Sequence, residues 1–441
     1  MRRPELIGAR GLGAVGGPCD TRLMIATPRR IQAIYLVLTA GNTLAASVIW
    51  GINTLFLLDA GLNNLEAFAA NAFFTAGMVL FEVPTGVVAD ARGRRTSYLL
   101  GTLTLSVSTF LYYLLWVTHG PFWQWAVVSV LLGLGFTFFS GAVEAWLVDA
   151  LSATGYAGTL EAVFGRAQVV GGAAMLAGAV GGGVLAQTTS LGFPFLVRVG
   201  ALLVMAVVAA VYMRDLGFTP DRSAPAGEAV RTILRESITH GLGHRPVRWL
   251  MLAAPFVSGV SIYAFYAMQP YLLDLYGDDD AYSIAGLAAA IVAGSQMVGG
   301  LFAARLRSAV ARRTTAVILG TTAGGVALAA LAVTRSFVLA LVLLVVWGLV
   351  EAAATPIRRA YLNDLIPSQQ RATVLSFDSL CGSAGGVVIQ PVLGRVADLT
   401  SYGTSYAFGA LFQLMAVPFL VKSRREHHPA DRAGEARPAA I

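Results

Sequence analysis

Twelve stretches of apolar sequence, separated by short polar connections, leave little chain for anything else. They run at about 31–58, 65–90, 97–118, 122–150, 161–187 and 192–213, and after a polar interval at about 248–273, 282–305, 314–333, 337–365, 372–397 and 402–421. A helix crosses the hydrocarbon core of a bilayer with about 20 residues, so each run is long enough to span it. Only 12% of the 441 residues are charged, well under the share in a soluble protein. The predicted fold is an all-α membrane protein of 12 transmembrane helices. Its parts are a tail at 1–30, six helices at 31–213, a linker at 214–247, six helices at 248–421 and a tail at 422–441. In the linker, Val230, Ile233, Leu234 and Ile238 share a helical face and Arg231 and Arg235 lie elsewhere, as in a helix resting on a membrane surface.

Composition excludes several functions. The formal charge of +7 comes from basic residues dispersed between apolar runs, with no stripe or arm to grip a nucleic acid. Lys422 is the only lysine and ends the last run, which removes a P-loop and an intramembrane Schiff base. His119, His240, His244, His427 and His428 all fall in loops, tails or span ends, so no span interior offers a histidine base or metal ligand. Cys19 and Cys381 are too far apart in context to suggest a disulfide framework, and the first 30 residues lack the apolar core of a secretory signal. No cofactor and no metal is expected, and an enzyme is not. The opposite-side loops hold only Arg335 and Arg395, while Arg166 and Arg198 sit inside runs. The other basic residues cluster on the side of the termini, which is therefore expected to be cytoplasmic in a multi-pass plasma-membrane protein. Arg198, about six residues from the outer end of its run, is expected to snorkel outward.

The halves repeat. Gly86 to Asp90 answers Gly300 to Ala304, and Gly171-Gly172 answers Gly385-Gly386, both at a shift of 214; Ala145 to Asp149 answers Ala360 to Asp364 at 215. An even number of spans per half makes the copies parallel, giving two six-helix pseudo-repeats around a central cavity that can open to each face in turn.

The sharpest motif is FEVPTGVVADARGRR at residues 81–95, closing the second run. It resembles motif A of the major facilitator superfamily, G-x3-D-[RK]-x-G-R-[RK]. Gly86, Asp90, Gly93, Arg94 and Arg95 match, while Ala91 stands at the basic position and Arg92 follows one place late. The resemblance covers roughly residues 31–421. It implies a conformational gate in which Asp90 faces the start of the eleventh span near Arg371, and Arg94 or Arg95 pairs with Asp149 at the end of the fourth. A carboxylate at a helix N-terminus would gain from the macrodipole. In the second-half copy Ala304 replaces the aspartate. The phrases EVPTG (82–86) and SGAVEAWLVDAL (140–151) resemble the drug and tetracycline-type efflux branch. Gly165, Ala174, Gly178, Ala179, Gly182 and Gly183 resemble the antiporter motif G-x8-G-x3-G-P-x2-G-G, with Ala174 and Ala179 departing from it. Such glycines also serve close helix packing.

Acids within spans are costly and need a reason. Glu82, Glu144, Glu351 and Asp378 are the proton-coupling candidates. Asn71, Thr75, Met78 and Glu82 share one face of the second span; Thr137, Ser140 and Glu144 share one on the fourth; Trp347, Glu351, Thr355 and Arg358 share one on the tenth. A coupling acid must change charge at working pH, which a firm arginine partner prevents. Arg358 is the expected partner of Glu351, so Glu82, Glu144 and Asp378 rank above it. The substrate-cavity candidates are Asn42, Trp50 and Asn53 on the first span, Asn71, Phe138 and Gln168, then Tyr263, Tyr266 and Gln269 on the seventh, with Gln296 and Trp347. This lining is aromatic and amide-rich, suited to a bulky, partly apolar ligand.

The leading expectation is secondary active export of lipophilic or amphipathic drug-like compounds, driven by the proton gradient, by a monomer whose partners are its small-molecule substrate, protons and lipid. The alternative in the same fold is uptake of a nutrient by symport or facilitated diffusion. A membrane enzyme or scaffold is the rival from another class.

Overall fold

The computed structural model describes residues 27–139, 141–219, 241–366 and 371–432. The predicted surface helix with Val230, Ile233, Leu234 and Ile238, and also Ser140, Cys19 and His240, lie outside them. The first half contains α1 (Pro28–Trp50), α2 (Asn53–Asp59), α3 (Asn64–Arg92), α4 (Arg94–Thr118), α5 (Phe122–Thr137), α6 (Ala142–Ala153), α7 (Leu160–Thr188) and α8 (Phe193–Tyr212). The second contains α9 (Arg245–Tyr276), α10 (Tyr282–Leu301), α11 (Ala303–Ala309), α12 (Arg313–Val333), α13 (Phe337–Leu365), α14 (Arg371–Leu399) and α15 (Tyr402–Arg425). Twelve helices, counting the α5–α6 stretch as one, are long and apolar enough to cross a membrane. No strand is assembled among the described residues, which is what a lipid-facing backbone requires of an open chain.

Two expected spans are broken. The first run divides at Gly51–Ile52, between α1 and α2, and in the fourth α5 ends at Thr137 while α6 starts at Ala142 behind Gly141, which adopts φ +69°. Both breaks hold strongly apolar sequence, so hydropathy alone does not reveal them. The eighth run also ends early, at Leu301, with the short α11 following it.

Within the first half α1 packs on α7 and α8, α3 on α5, and α4 on α5 and α8; within the second α9 packs on α14 and α15, α12 on α13 and α15, and α10 on α13. The halves meet through α3 against α14 and α7 against α10. Lipid tails are as apolar as leucine, so helices associate here through close contact of small residues. Cβ atoms at Gly178 and Gly182 would collide with Ser47 and the Val48 carbonyl of α1, and one at Gly183 would lie 2.6 Å from the Tyr282 carbonyl of α10. The antiporter-like glycines are thus packing surfaces, except Gly165, which meets nothing within 4 Å.

Candidate functional site

The motif at residues 81–95 folds around the junction of α3 and α4. Gly93 links them with φ +102°, a conformation costly for other residues, and a Cβ there would collide with the carboxylate of Asp215. Asp215 follows α8 and accepts the backbone N–H of Arg95 at 2.9 Å, capping the N-terminus of α4. Burial pushes its carboxyl above the usual range, against the lowering pull of Arg95 and Arg94. The Arg95 guanidinium donates to the Ala210 carbonyl of α8. Arg94 pairs with Asp90 at 2.7 Å, one turn back, and reaches Asp149 at 4.0 Å. The Arg94–Asp149 relation implied by the resemblance is therefore present. Asp90 pairs with Arg94 within its own half and is half exposed. Arg92 ends α3, and no described residue accepts from the buried Nε of Arg371. The repeat preserves part of this arrangement: Arg313 pairs with Asp364 at 2.5 Å in the second half, although the motif aspartate is replaced there by Ala304.

At the opposite end of the bundle the two halves are stitched together. Asn63 and Glu66 form a capping box that uses one free N–H at the start of α3. Two more, on Asn64 and Leu65, donate to Asp398 of α14 at 2.9 and 2.8 Å. Tyr402 donates to the Asn64 side chain at 2.5 Å. Beside this, Gln269 of α9 serves the break between α1 and α2: its amide nitrogen donates to the Trp50 carbonyl at 2.7 Å and its oxygen accepts the Thr54 N–H at 2.9 Å. The Thr54 hydroxyl donates to the Tyr266 carbonyl at 3.0 Å. The break in the first span is thus hydrogen-bonded by the other half, as a non-helical backbone at membrane depth must be.

The in-span acids are arranged differently from the expected pairing. Arg358 binds Asp378 of α14, not Glu351, with two nitrogens at 2.7 and 2.6 Å, and also donates to the Leu250 carbonyl of α9 at 3.1 Å. Asp378 has no arginine within one turn on its own helix, where Arg371 lies two turns back; its partner comes from α13 instead. Glu351 instead meets Gln413 of α15, whose amide nitrogen lies 2.5 Å from its carboxylate, beside Gly324 of α12. Among the described residues the Gln413 oxygen has no partner. Glu82 is exposed on α3. Arg198 does not snorkel: only 7% of it is exposed, between Tyr112 and Tyr266, because α2 and α9 cover the end of the bundle where it sits.

Glu144 opens into a cavity of about 430 Å³ in the part of the bundle nearer the termini. Tyr35, Thr39 and Thr43 of α1 line it, with Phe164, Gln168 and Met175 of α7, and Met297 of α10 closes it from the other half. Of the sequence-derived cavity candidates only Gln168 lies here. Asn42 accepts the Tyr98 hydroxyl at 2.7 Å inside the first half, and Asn53 donates to Asn71 at 2.9 Å. The Tyr263 hydroxyl donates at 2.5 Å to Ser405, whose own hydroxyl donates to the Leu393 carbonyl, and Trp347 is buried. Phe138 packs on α4 at Gly101, and Gln296 is exposed on α10 beside Gly348. Asp398, Asp215 and Gln413 escape sequence reasoning altogether, since each acts on a helix remote in the chain.

Solved structures share this architecture. The nucleoside transporter NupG is 10% identical, with a TM-score of 0.75 over 90% of this chain and 99% of its own. The peptide transporter POT in complex with sulfate is 12% identical, with a TM-score of 0.72 over 91% and 96%. A D-xylose-proton symporter is 14% identical, with a TM-score of 0.63 over 90% and 97%. No curated protein sequence is significantly similar. The family profile described as Major Facilitator Superfamily matches residues 35–311 and 281–441, which together take in nearly the whole bundle with its paired halves and its α3–α4 motif. The chain belongs to the Major Facilitator Superfamily.

Proposed function

We propose that this protein is a proton-coupled secondary transporter of small organic solutes, working by alternating access in the plasma membrane as a monomer with both termini in the cytoplasm. The observation that carries the reading is an asymmetry between the two ends. Asp398, Gln269 and Tyr402 tie the halves together at the far end, while the cavity beside Glu144 lies toward the termini, where Asp90 is paired within its own half. A bundle sealed at one end with a cavity toward the other is one station of a rocking cycle.

Glu351 is the coupling residue in this reading. Its partner is a neutral amide, and an amide can serve both charge states: its N–H donates to the carboxylate, and after a flip its carbonyl accepts from the acid. Asp378, held by Arg358, is a structural ion pair. The apolar walls around Glu144 favour export of lipophilic compounds; the likeness of fold to a D-xylose-proton symporter supports the second reading, uptake. Purified protein in vesicles with an imposed pH difference tests both. Solute movement that follows the proton gradient supports the reading, with its direction choosing between antiport and symport. Movement indifferent to that gradient sinks it.

A further inference from the structure

We infer that the cavity beside Glu144 binds an organic cation with an apolar body, Glu144 supplying the counter-charge. This names the substrate class of the transport reading and rests on it. Charge is the first ground. Glu144 is the one carboxylate lining the cavity, no basic side chain lines it, and no described residue donates a hydrogen bond or forms an ion pair with it. Against low-dielectric walls a carboxylate attracts a cation far more strongly than in water and repels an anion as strongly. Thr39, Thr43 and Gln168 can orient a polar group but cannot balance that charge.

The walls point the same way. Tyr35 and Phe164 stand with ring centroids 6.2 Å apart and planes at 80°, forming an aromatic corner beside the carboxylate. Ring faces attract cations, and quaternary ammonium groups are held by such corners. Met175 and Met297 add polarisable, unbranched chains that adapt to differing shapes. A sugar would leave most of its hydroxyls against these groups unpaired. About 430 Å³ lies within the range that encloses a drug-sized molecule. Because Met297 comes from the second half, an occupant touches both halves, as a transported solute must.

Equilibrium binding to the purified full-length protein in detergent, with no gradient present, tests this. The probes are tetraphenylphosphonium and tetraphenylborate, nearly identical in shape and opposite in charge, with protein-free detergent micelles as the blank for partitioning. The cation is expected to bind saturably and the anion at least about tenfold more weakly. Glu144→Gln should lose that cation binding, and Glu144→Asp should keep most of it. Equal affinity for the two ions, or undiminished cation binding by Glu144→Gln in protein whose unfolding temperature is unchanged, overturns the inference. The outcome is separable from the transport reading. Cation binding without proton-driven movement in vesicles removes the transport reading alone, and proton-driven movement of a neutral solute without cation binding removes this inference alone.

Discussion

Arg358 grips Asp378 on the neighbouring helix with both terminal nitrogens, at 2.7 and 2.6 Å, and leaves Glu351, two turns back on its own helix, to an amide. One rotamer choice thereby exchanges the roles of two acids. The pair also ties α13 to α14, and through the Leu250 carbonyl to α9.

The first prediction concerns that pair. With the side chains only 20% and 11% exposed, removing one partner strands a charge, at a cost of about 3–5 kcal/mol. Arg358→Met should lower the unfolding temperature sharply, and adding Asp378→Leu should recover most of the loss. A double variant no more stable than Arg358→Met would show that the pair is not the structural element described.

Glu351→Gln preserves volume and can still hydrogen-bond to Gln413. It should fold normally and bind solute, yet lose the dependence of transport on an imposed pH difference. Gln413→Leu should weaken that dependence as well, because the partner that serves both charge states is gone. Unaltered proton dependence in Glu351→Gln would take this residue out of the coupling step.

Asp398 holds the far end shut through two charge-assisted bonds to the start of α3. Such bonds contribute about 1.5–3 kcal/mol each, so Asp398→Ala should move the balance between the two openings at least about tenfold toward the far-side-open form. Distances between spin labels at the far ends of α3 and α14 would read the change. An unchanged distance distribution would mean that the seal resides in the helix packing alone.

A pH effect is expected at the end bearing the termini. Residues Pro429–Asp431 form a 3-10 turn, and Asp431 accepts the N–H and hydroxyl of Thr314 at 2.7 and 2.8 Å, capping α12. Nearby, His428 packs against His244 with centroids 5.9 Å apart, its Nδ1 accepts the Ala430 N–H at 3.2 Å, and Glu426 accepts from Trp249 at 3.1 Å. Burial holds both imidazoles below their usual value; His244 lowers His428 further, while Glu426 and Asp431 pull the other way. Folded-state values below the unfolded ones mean that this strap is at full strength above the unfolded value of about 6.5 and is lost as pH falls through the folded values. Hydrogen-exchange protection at residues 426–432, taken relative to the intrinsic rate at each pH, should therefore fall on acidification, and His428→Asn should flatten that response. Protection independent of pH would exclude the histidine pair as the cause.

How much of this was legible in the chain follows from the range of the forces involved. Twelve spans, the parallel repeat and the α3–α4 motif can be read directly, because hydropathy, loop charge and the Gly93 turn are properties of contiguous residues. So can the placing of Glu144 and Gln168 on helices. The breaks in the first and fourth spans cannot, since the first is stabilised by Gln269 from the other half.

Partner choice among charges was decided by tertiary structure alone. Helical spacing offers Arg358 to Glu351, and the fold gives it to Asp378. Snorkelling suits an isolated helix carrying Arg198, but α2 and α9 close over it. Asp215 and Asp398 look like ordinary loop-end acids until each is seen at the N-terminus of a distant helix. Hydrophobicity and helix formation are set along the chain. Hydrogen bonds and ion pairs, which act over about 3 Å, are set by which helices the packing brings together.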